Sequence, residues 1–285
     1  CGAVLDWAVG PCEGKQTGET ALLWKLAQRL QRGDIVIADR YYAGYFLIAL
    51  LVQLGVDVVI RQHQRRHTDF RRGQRLGVKD HIVSWPRLQR PSWMDADTYA
   101  SMPETLRMRE VNVGGWTLIT TLTDAKEVSR RDVFELYRAR WQIELDLRSI
   151  KTSMRMDVLR CKSPQMVKKE IAVHILAYNL VRAVMAQAAH LGRVLPRQLS
   201  FKGALHLLNA FEENLRHCPL GRLVLRHAHL LAGIAQMKLP HRPGRVEPRT
   251  LKRRPKPFQL LMEPRQILRA RLVAKQQQHI ASCLS

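Results

Sequence analysis

Acidic residues and cysteine are scarce in this sequence, and both shortages limit what the chain can do. Its 24 Asp and Glu residues are outnumbered by 47 Lys and Arg residues, which gives the 285-residue chain a formal net charge of +23 at pH 7. Such an excess favours a polyanionic partner. The five cysteines are scattered and never stand in C-x-x-C spacing, so neither a disulfide framework nor a zinc site is indicated. A reducing cytoplasm fits this cysteine usage best.

Long apolar runs are also missing. The run from Phe46 to Val52 is far shorter than the roughly 18 residues that a membrane-spanning helix needs. A second apolar stretch, 171–191, is interrupted by polar or charged side chains, so we expect no membrane partner. No signal peptide opens the chain and its first residue is Cys1 rather than Met. We interpret the sequence as a fragment whose true start lies upstream.

Strand and helix patterns alternate over the first 63 residues. Short β-branched runs, typical of strands buried on both faces, are separated by stretches in which apolar residues recur at helical spacing. The expected order is strand, helix, strand, helix and strand, at residues 2–9, 17–31, 35–38, 42–54 and 56–60. This alternation predicts an α/β sheet in which at least some strands are parallel.

The composition of the sequence changes at residue 64, where a basic stretch rich in turn-forming residues begins. The β-forming runs that follow predict strands at 81–85, 106–113 and 116–122. A long helical pattern then runs from Ser129 to Lys151, with Ser129 and Asp132 as a possible capping box. Further helices are expected at 164–191, 201–215 and 220–237. Residues 240–275 hold six prolines and eleven Lys or Arg residues, which predicts an extended basic arm.

Two carboxylates, Asp39 and Glu144, are candidates for catalytic or metal-binding residues. Asp39 ends the predicted buried strand 35–38, and open α/β sheets place ligand and catalytic groups at the carboxyl ends of strands. Its alternative role is the N-cap of the helix that follows. Glu144 shares one helical face with basic residues and a tyrosine, at positions 137, 140, 148 and 151. Its alternative is a solvated face with ion pairs between residues four apart.

A resemblance to a known family follows from these two regions. The string YRARWQIELDLRSIK contains Tyr137, Arg140, Glu144 and Lys151. In residue type and in all three spacings it matches the YREK signature of the bacterial DDE transposases of the insertion sequence 4 group, which the chain therefore resembles. The stretch GDIVIADRYY, in which Asp39 follows a hydrophobic strand, resembles the segment that carries the second aspartate of that family's triad. The resemblance covers most of residues 1–190.

The resemblance implies a fold and a division of the chain. The expected fold class is α/β, an RNase H-like catalytic core with a β-rich insertion and a helical, basic C-terminal region. Residues 1–63 would form the first part of the core, without an upstream strand, and 64–122 the basic insertion. Residues 123–192 would complete the core with the YREK helix, and 193–285 would form a helical region and a basic proline-rich tail.

The resemblance also implies a chemistry. Asp39 and Glu144 would be catalytic and would hold two Mg²⁺ (or Mn²⁺) ions, which prefer carboxylate oxygens and act on a phosphodiester. The expected partner is double-stranded DNA, at transposon ends and target, bound by a homodimer in the bacterial cytoplasm at the nucleoid. The side chains expected to contact DNA are Tyr137, Arg140, Lys151, Trp141 and Arg40.

One departure from the family pattern affects the expected activity. The first triad aspartate of the family lies on a strand upstream of the region that begins this chain, and we do not expect Asp6 to replace it. The chain as given is therefore expected to be catalytically incompetent.

Three functions stay open: a transposase that cuts and joins DNA, a basic module that binds DNA without cutting, and a nuclease that cuts but never joins. Trp141 has two interpretations as well, stacking on an unpaired base or packing in the core.

Overall fold

The computed structural model of the chain describes residues 1–284 except Cys12, Lys15, Gln16 and 241–262. The chain divides into two compact units, Cys1–Leu239 and Pro240–Ser285. The first unit contains a sheet covered by helices and a separate helical core. The fold class is therefore α/β, as the sequence predicts.

The first two strands are parallel and are joined through a helix. Helix α1 (Glu19–Ala27) precedes strand β1 (Ile35–Ala38), and helix α2 (Tyr45–Gln53) precedes strand β2 (Asp57–Arg61). Strand β1 pairs with β2 in parallel, with Ala38 opposite Ile60. Gly55 allows the tight turn between α2 and β2 because its φ of +72° lies in the left-handed region.

Four further strands extend the same sheet. They are β3 (Gln74–Gly77), β4 (Asp80–Pro86), β5 (Thr105–Val113) and β6 (Trp116–Thr120). The sheet order is β1-β2-β6-β5-β4-β3, and every pair except β1 with β2 is antiparallel. The three strands predicted beyond residue 80 are confirmed, whereas β3 and the short helix α3 (Ala96–Ser101) have no counterpart in the prediction.

The strands expected to form an insertion are continuous with the core sheet. Strand β6 pairs with β2 in antiparallel register, with Ile60 opposite Ile119. The apolar core on one side of the sheet likewise combines residues of α2, β2 and β5, such as Leu47, Val58 and Met108. The boundary at residue 64 therefore marks a change in composition and not a break in the sheet.

The helical pattern after residue 128 is divided into three pieces. Helix α4 (Arg130–Ala139) begins with the predicted capping box of Ser129 and Asp132, and helix α5 (Trp141–Arg148) follows it. Arg140 lies between them in a tightened turn, because the Ile143 N–H bonds to the carbonyl of Arg140 only three residues earlier. A π-helical turn, Ser149–Ser153, ends the region. The predicted helical span from Ser129 to Lys151 is therefore confirmed, with a tightened turn at Arg140 and a π-helical turn at its end.

Three long helices build the second core. Helices α6 (Pro164–Leu191), α7 (Phe201–Arg216) and α8 (Leu220–Gln236) match the predicted spans to within a residue. Side chains such as Tyr178, Met185 and Leu230 are buried among them. Helix α6 is long and apolar enough to cross a membrane, with a mean hydropathy of 1.3 over its most apolar window. Buried core helices pass the same test, so this is weak evidence for a membrane span.

The predicted opening strand is absent. Residues 2–9 form no strand, although Val4 makes strand-like hydrogen bonds to an amide side chain. Its N–H donates to Oδ1 of Asn179 in α6, and its carbonyl accepts from Nδ2 of the same residue, both at 2.8 Å. The backbone of Val4 is thus paired with a helix and does not enter the sheet, which the local apolar pattern did not indicate.

In the second unit, helix α9 covers Arg265–Leu284. The prediction of an extended arm is therefore wrong for residues 265–275, where Leu, Ala, Arg and Gln, all good helix formers, give a helix in spite of the positive charge. Residues 241–262, which hold most of the prolines of the predicted arm, lie outside the described part of the chain.

Candidate active site

Asp39 follows β1 directly and is exposed. Its backbone stays extended, with φ −82° and ψ 179°, and its Oδ1 accepts a hydrogen bond from the Tyr41 N–H at 2.8 Å. It thereby caps a single 3-10 turn, Arg40–Tyr42. The capping role expected as the alternative is present, while the carboxylate remains exposed at the carboxyl end of the strand. Arg40 is also exposed, and its Nη1 donates to Oε1 of Gln64 at 3.3 Å.

A second carboxylate lies near Asp39. The hydroxyl of Tyr42 donates to Oε2 of Glu19, the first residue of α1, at 3.2 Å. Partial burial, the charge of Glu19 and the weaker effect of Asp39 raise the pKa of Tyr42 to about 12. Negative charge therefore collects at this end of β1. Glu19 could not be predicted as a neighbour of Asp39 from the sequence, because the spacing between the two residues matches no motif.

Tyr137 of α4 packs against the sheet on the face to which Asp39 belongs. Its side chain is buried with Val59 of β2 and Leu118 of β6, and Ile37 of β1 packs against the same cluster. Because side chains alternate along a strand, Ile37 and Asp39 point to the same face of the sheet. That face is the one covered by α4.

Tyr137 and Asp39 also share one edge of the sheet. The Tyr137 ring lies 5.8 Å from the ring of Trp116, the first residue of β6. Strand β6 runs antiparallel to β2, with Leu118 opposite Arg61, so Trp116 stands beyond the carboxyl end of β2. Since β1 and β2 are parallel, the carboxyl end of β1 and Asp39 lie at this same edge.

The remaining motif residues follow Tyr137 along the chain. The Arg140 guanidinium lies 5.9 Å from the Tyr137 ring centroid, and its Nη2 is 3.2 Å from Oε1 of Glu144. This contact is the ion pair expected for a solvated helix face. Lys151 is exposed in the π-helical turn. The structure thus joins Tyr137, Arg140 and Glu144 directly, while among the described residues no hydrogen bond or ion pair links Asp39 to Glu144.

An open cleft of about 620 Å³ lies beside these residues. Aromatic and basic side chains line it, among them Trp116, Tyr137, Arg138, Arg140 and Trp141. Trp141 is 52% exposed, so its alternative interpretation as a core residue is wrong. Trp116 is 39% exposed and carries the Arg61 guanidinium 5.2 Å from its ring centroid.

The carboxylates fit a divalent ion by chemistry and by exposure. Asp39 and Glu144 supply the hard oxygen donors that Mg²⁺ prefers, and both side chains are exposed to solvent. In the part of the chain that the structure describes, no group of three or more acidic, histidine or cysteine side chains is arranged to hold a metal ion. A metal site built from Asp39 and Glu144 is therefore a hypothesis about two ligands only.

Comparison with known proteins identifies the class of this chain. The family model described as the transposase DDE domain matches residues 11–180, a range that includes both acids. The chain therefore belongs to the transposase DDE domain family. No solved structure matches it.

The chain is similar to particular insertion-sequence transposases. It is 32% identical over 251 residues to the transposase InsG for insertion sequence element IS4 of Escherichia coli (strain K12), which covers 81% of this chain and 54% of that protein. It is 35% identical over 71 residues to the putative transposase InsL for element IS186A of the same strain, covering 25% and 19%. The chain thus spans about half the length of the IS4 protein, and its predicted family resemblance is confirmed.

Proposed function

We propose that this chain carries the second and third acids of a DDE transposase, with Asp39 and Glu144 as catalytic residues. The intact protein would cleave DNA at insertion-sequence ends and join the freed 3′-hydroxyl to target DNA. One observation carries the proposal: Asp39 and Tyr137 of the YREK motif lie on the same face and the same edge of the sheet. An RNase H-like arrangement of the core is part of this proposal.

The direction of α4 supports bringing Glu144 towards Asp39. The Arg130 guanidinium, at the start of α4, donates to the carbonyls of Val78 and Asn112 on the β4 and β5 side of the sheet. Tyr137, seven residues later, shares a cluster with Ile37 of β1. Helix α4 therefore crosses the sheet towards β1. Glu144 lies another seven residues on, about 10 Å farther along a helix and on the same face as Tyr137.

The residues present could hold divalent ions and orient DNA. Asp39 and Glu144 would be the ligands, and bound Mg²⁺ or Mn²⁺ would activate a water or 3′-hydroxyl and stabilise the leaving oxygen. Asp39 uses Oδ1 to cap the turn after β1 and keeps its carboxylate in solvent. Arg140, which pairs with Glu144, stands where a guanidinium could exchange that carboxylate for a phosphate.

DNA would be held by the same edge of the sheet. Arg140 pairs with Glu144, Arg40 follows Asp39 in the chain, and Tyr137 borders the cleft. Lys151 is exposed in the π-helical turn after the motif. The exposed Trp141 ring could stack on an unpaired base, a contact worth about 1–3 kcal/mol. Double-stranded DNA at element ends and target, a homodimer on paired ends and a cytoplasmic location at the nucleoid are included in the proposal.

We propose further that the chain as given is catalytically incompetent, because it supplies only two of the three acids. Asp6 is a poor substitute for the first. Its Oδ1 accepts from the Trp7 N–H at 2.7 Å, and its Oδ2 lies 3.5 Å from Nε of Arg29. Residues 2–9, which contain Asp6, form no strand in the sheet.

The competing function is a basic module that binds DNA without cutting it. The test replaces Glu144 by Ala in a chain joined to an upstream strand that supplies the first aspartate. Cleavage should be lost while affinity for DNA is kept, because a ligand carboxylate contributes to the reaction and repels the phosphates. Glu212→Ala, an exposed acid of α7 that does not line the cleft, serves as the control and should leave cleavage intact.

Two other outcomes separate the alternatives. If Glu144→Ala lowers stability and has no selective effect on cutting, the proposed catalytic role is wrong and the binding module is favoured. If cutting depends on Glu144 but product ends never appear joined to a new DNA molecule, the protein is a nuclease and not a transposase.

A further inference from the structure

Helix α5, which carries Glu144, is attached to the molecule by a carboxylate. Asp146 is the one buried residue of this helix. The apolar side chains around it point into solvent, with Ile143, Leu145 and Leu147 exposed to 55%, 46% and 45%. An apolar stripe that would fix the rotation of α5 against the protein is therefore missing within this helix.

Two arginines from distant parts of the chain hold Asp146. Nη1 and Nη2 of Arg197 donate to its Oδ1 and Oδ2 at 3.0 and 2.8 Å, a bidentate arrangement. Nη2 of Arg182 in α6 also donates to Oδ1. Both carboxylate oxygens are thus engaged by guanidinium groups, as burial of a charge requires.

Arg182 is itself fixed in place. It is buried between the rings of Tyr178 and Phe201, with its Cζ 5.2 and 5.1 Å from their centroids. Its Nε donates to the Tyr178 hydroxyl at 2.9 Å, and that hydroxyl donates to the carbonyl of Gly2 at 2.8 Å. The anchor of α5 is therefore part of a network of hydrogen bonds and aromatic contacts that reaches the second core.

The helix geometry links this anchor to Glu144. Residues 144 and 146 are separated by about 200° around a helix, so they point to nearly opposite sides. When Asp146 is held inward by Arg182 and Arg197, Glu144 is directed outward. The backbone stays helical through Arg140, Arg148 and Ser149. The orientation that Asp146 gives to α5 is therefore passed to Glu144 through the helical backbone.

We infer that Asp146 is a positioning residue, which sets the orientation of Glu144 through its ion pairs with Arg182 and Arg197. The inference rests on the proposed role of Glu144 as a ligand. The anchoring of α5 by Asp146 can nevertheless be measured without any metal or reaction. Asp146 would act through the backbone of α5, because both of its carboxylate oxygens are engaged by Arg182 and Arg197.

The test uses the 285-residue chain with Asp146→Asn, which keeps the shape and removes the charge. Hydrogen exchange followed by mass spectrometry should show amides of 143–153 exchanging at least tenfold faster, with exchange in the sheet unchanged. Mn²⁺ binding, followed by electron paramagnetic resonance, should weaken at least threefold, while affinity for DNA is kept. Arg197→Gln, which removes only the bidentate contact, should change both quantities in the same direction but less, and it keeps the test usable if Asp146→Asn fails to fold.

Controls separate this inference from the proposed function. Glu144→Gln should weaken Mn²⁺ binding and leave the exchange of α5 as it is. If Glu144→Gln has no effect on Mn²⁺, the ligand assignment of Glu144 fails, whereas faster exchange confined to 143–153 in Asp146→Asn still supports the anchor. The positioning role is overturned if Asp146→Asn leaves exchange in 143–153 unchanged. It is also overturned if exchange rises equally throughout the chain with no selective loss of Mn²⁺ binding.

Discussion

The guanidinium of Arg109 in β5 and the carboxylate of Asp80 in β4 form a buried bidentate pair. Their Nε–Oδ1 and Nη2–Oδ2 distances are 2.8 and 2.7 Å. Nη1 of Arg109 donates to the carbonyl of Val128 at 2.6 Å, immediately before the N-cap of α4 at Ser129. One buried cation therefore joins two strands of the sheet to the start of the helix that leads into the YREK motif.

Removing Arg109 should destabilise the sheet and its connection to α4. Arg109→Met fills the space but leaves the Asp80 carboxylate buried without its partner, since their side chains are only 1% and 7% exposed. The loss of one partner of a buried pair costs about 3–5 kcal/mol. The free energy of unfolding, measured by urea titration with circular dichroism, should fall by this amount.

An exposed ion pair provides the control. Glu212→Gln removes the pair with Arg216 on α7, where both side chains are more than 60% exposed. Exposed pairs contribute about 0–1 kcal/mol, so the unfolding midpoint should hardly move. An Arg109→Met variant as stable as the Glu212→Gln variant would contradict the role given to the buried pair.

The buried ring of Tyr137 should matter for stability and its hydroxyl for DNA. Tyr137→Ala removes a side chain packed on Val59 and Leu118, and loss of a buried aromatic ring costs about 3–5 kcal/mol. Tyr137→Phe keeps the ring and should leave the unfolding free energy within about 0.5 kcal/mol. If the hydroxyl contacts a phosphate, Tyr137→Phe should weaken DNA binding in an equilibrium assay. If Tyr137→Phe binds DNA as tightly as the unchanged chain, the role of Tyr137 is packing of its ring and not contact with DNA.

The hydroxyl of Tyr42 should lose its proton at a higher pH than the hydroxyl of an ordinary tyrosine. Burial, Glu19 and Asp39 raise its pKa from 10.0 to about 12 in the folded chain. The folded chain then holds this proton more tightly than the unfolded chain, so the stabilisation is complete below pH 10 and is lost as the pH rises to about 12. Tyrosinate absorbance should reveal a step that Tyr42→Phe removes. Glu19→Gln should shift the step downward more than Asp39→Asn, and a step that neither variant moves would contradict this account.

Local sequence patterns predicted the parts of the fold that depend on local preferences. The β-branched run of β1, the capping box at Ser129 and the apolar spacing of α6 each specify an element without distant partners. The position of Asp39 at a strand end follows from the same pattern. So does the exposed ion pair of Arg140 and Glu144, which needs only four residues of helix.

Features that depend on residues far apart in the chain could not be predicted from local sequence patterns. Residues 2–9 have a strand-like pattern, but Asn179 satisfies the backbone of Val4 from 175 positions away. Asp146 stands inside the YREK string, yet its importance depends on arginines 36 and 51 positions along the chain. Helix spacing places Asp146 and Glu144 on nearly opposite sides, but it cannot show that the side of Asp146 is the buried one.

The salt dependence of DNA binding should identify which cations contact phosphates. Lys151 is exposed in the π-helical turn that follows the motif, and each phosphate neutralised contributes about 0.9 to the negative slope of log affinity against log salt concentration. Lys151→Ala should therefore make this slope about one unit shallower in fluorescence anisotropy titrations on duplex DNA. Lys202→Ala removes the same charge from an exposed position on α7 outside the motif. If both variants change the slope equally, binding reflects the overall charge of +23, and Lys151 has no specific place at the DNA.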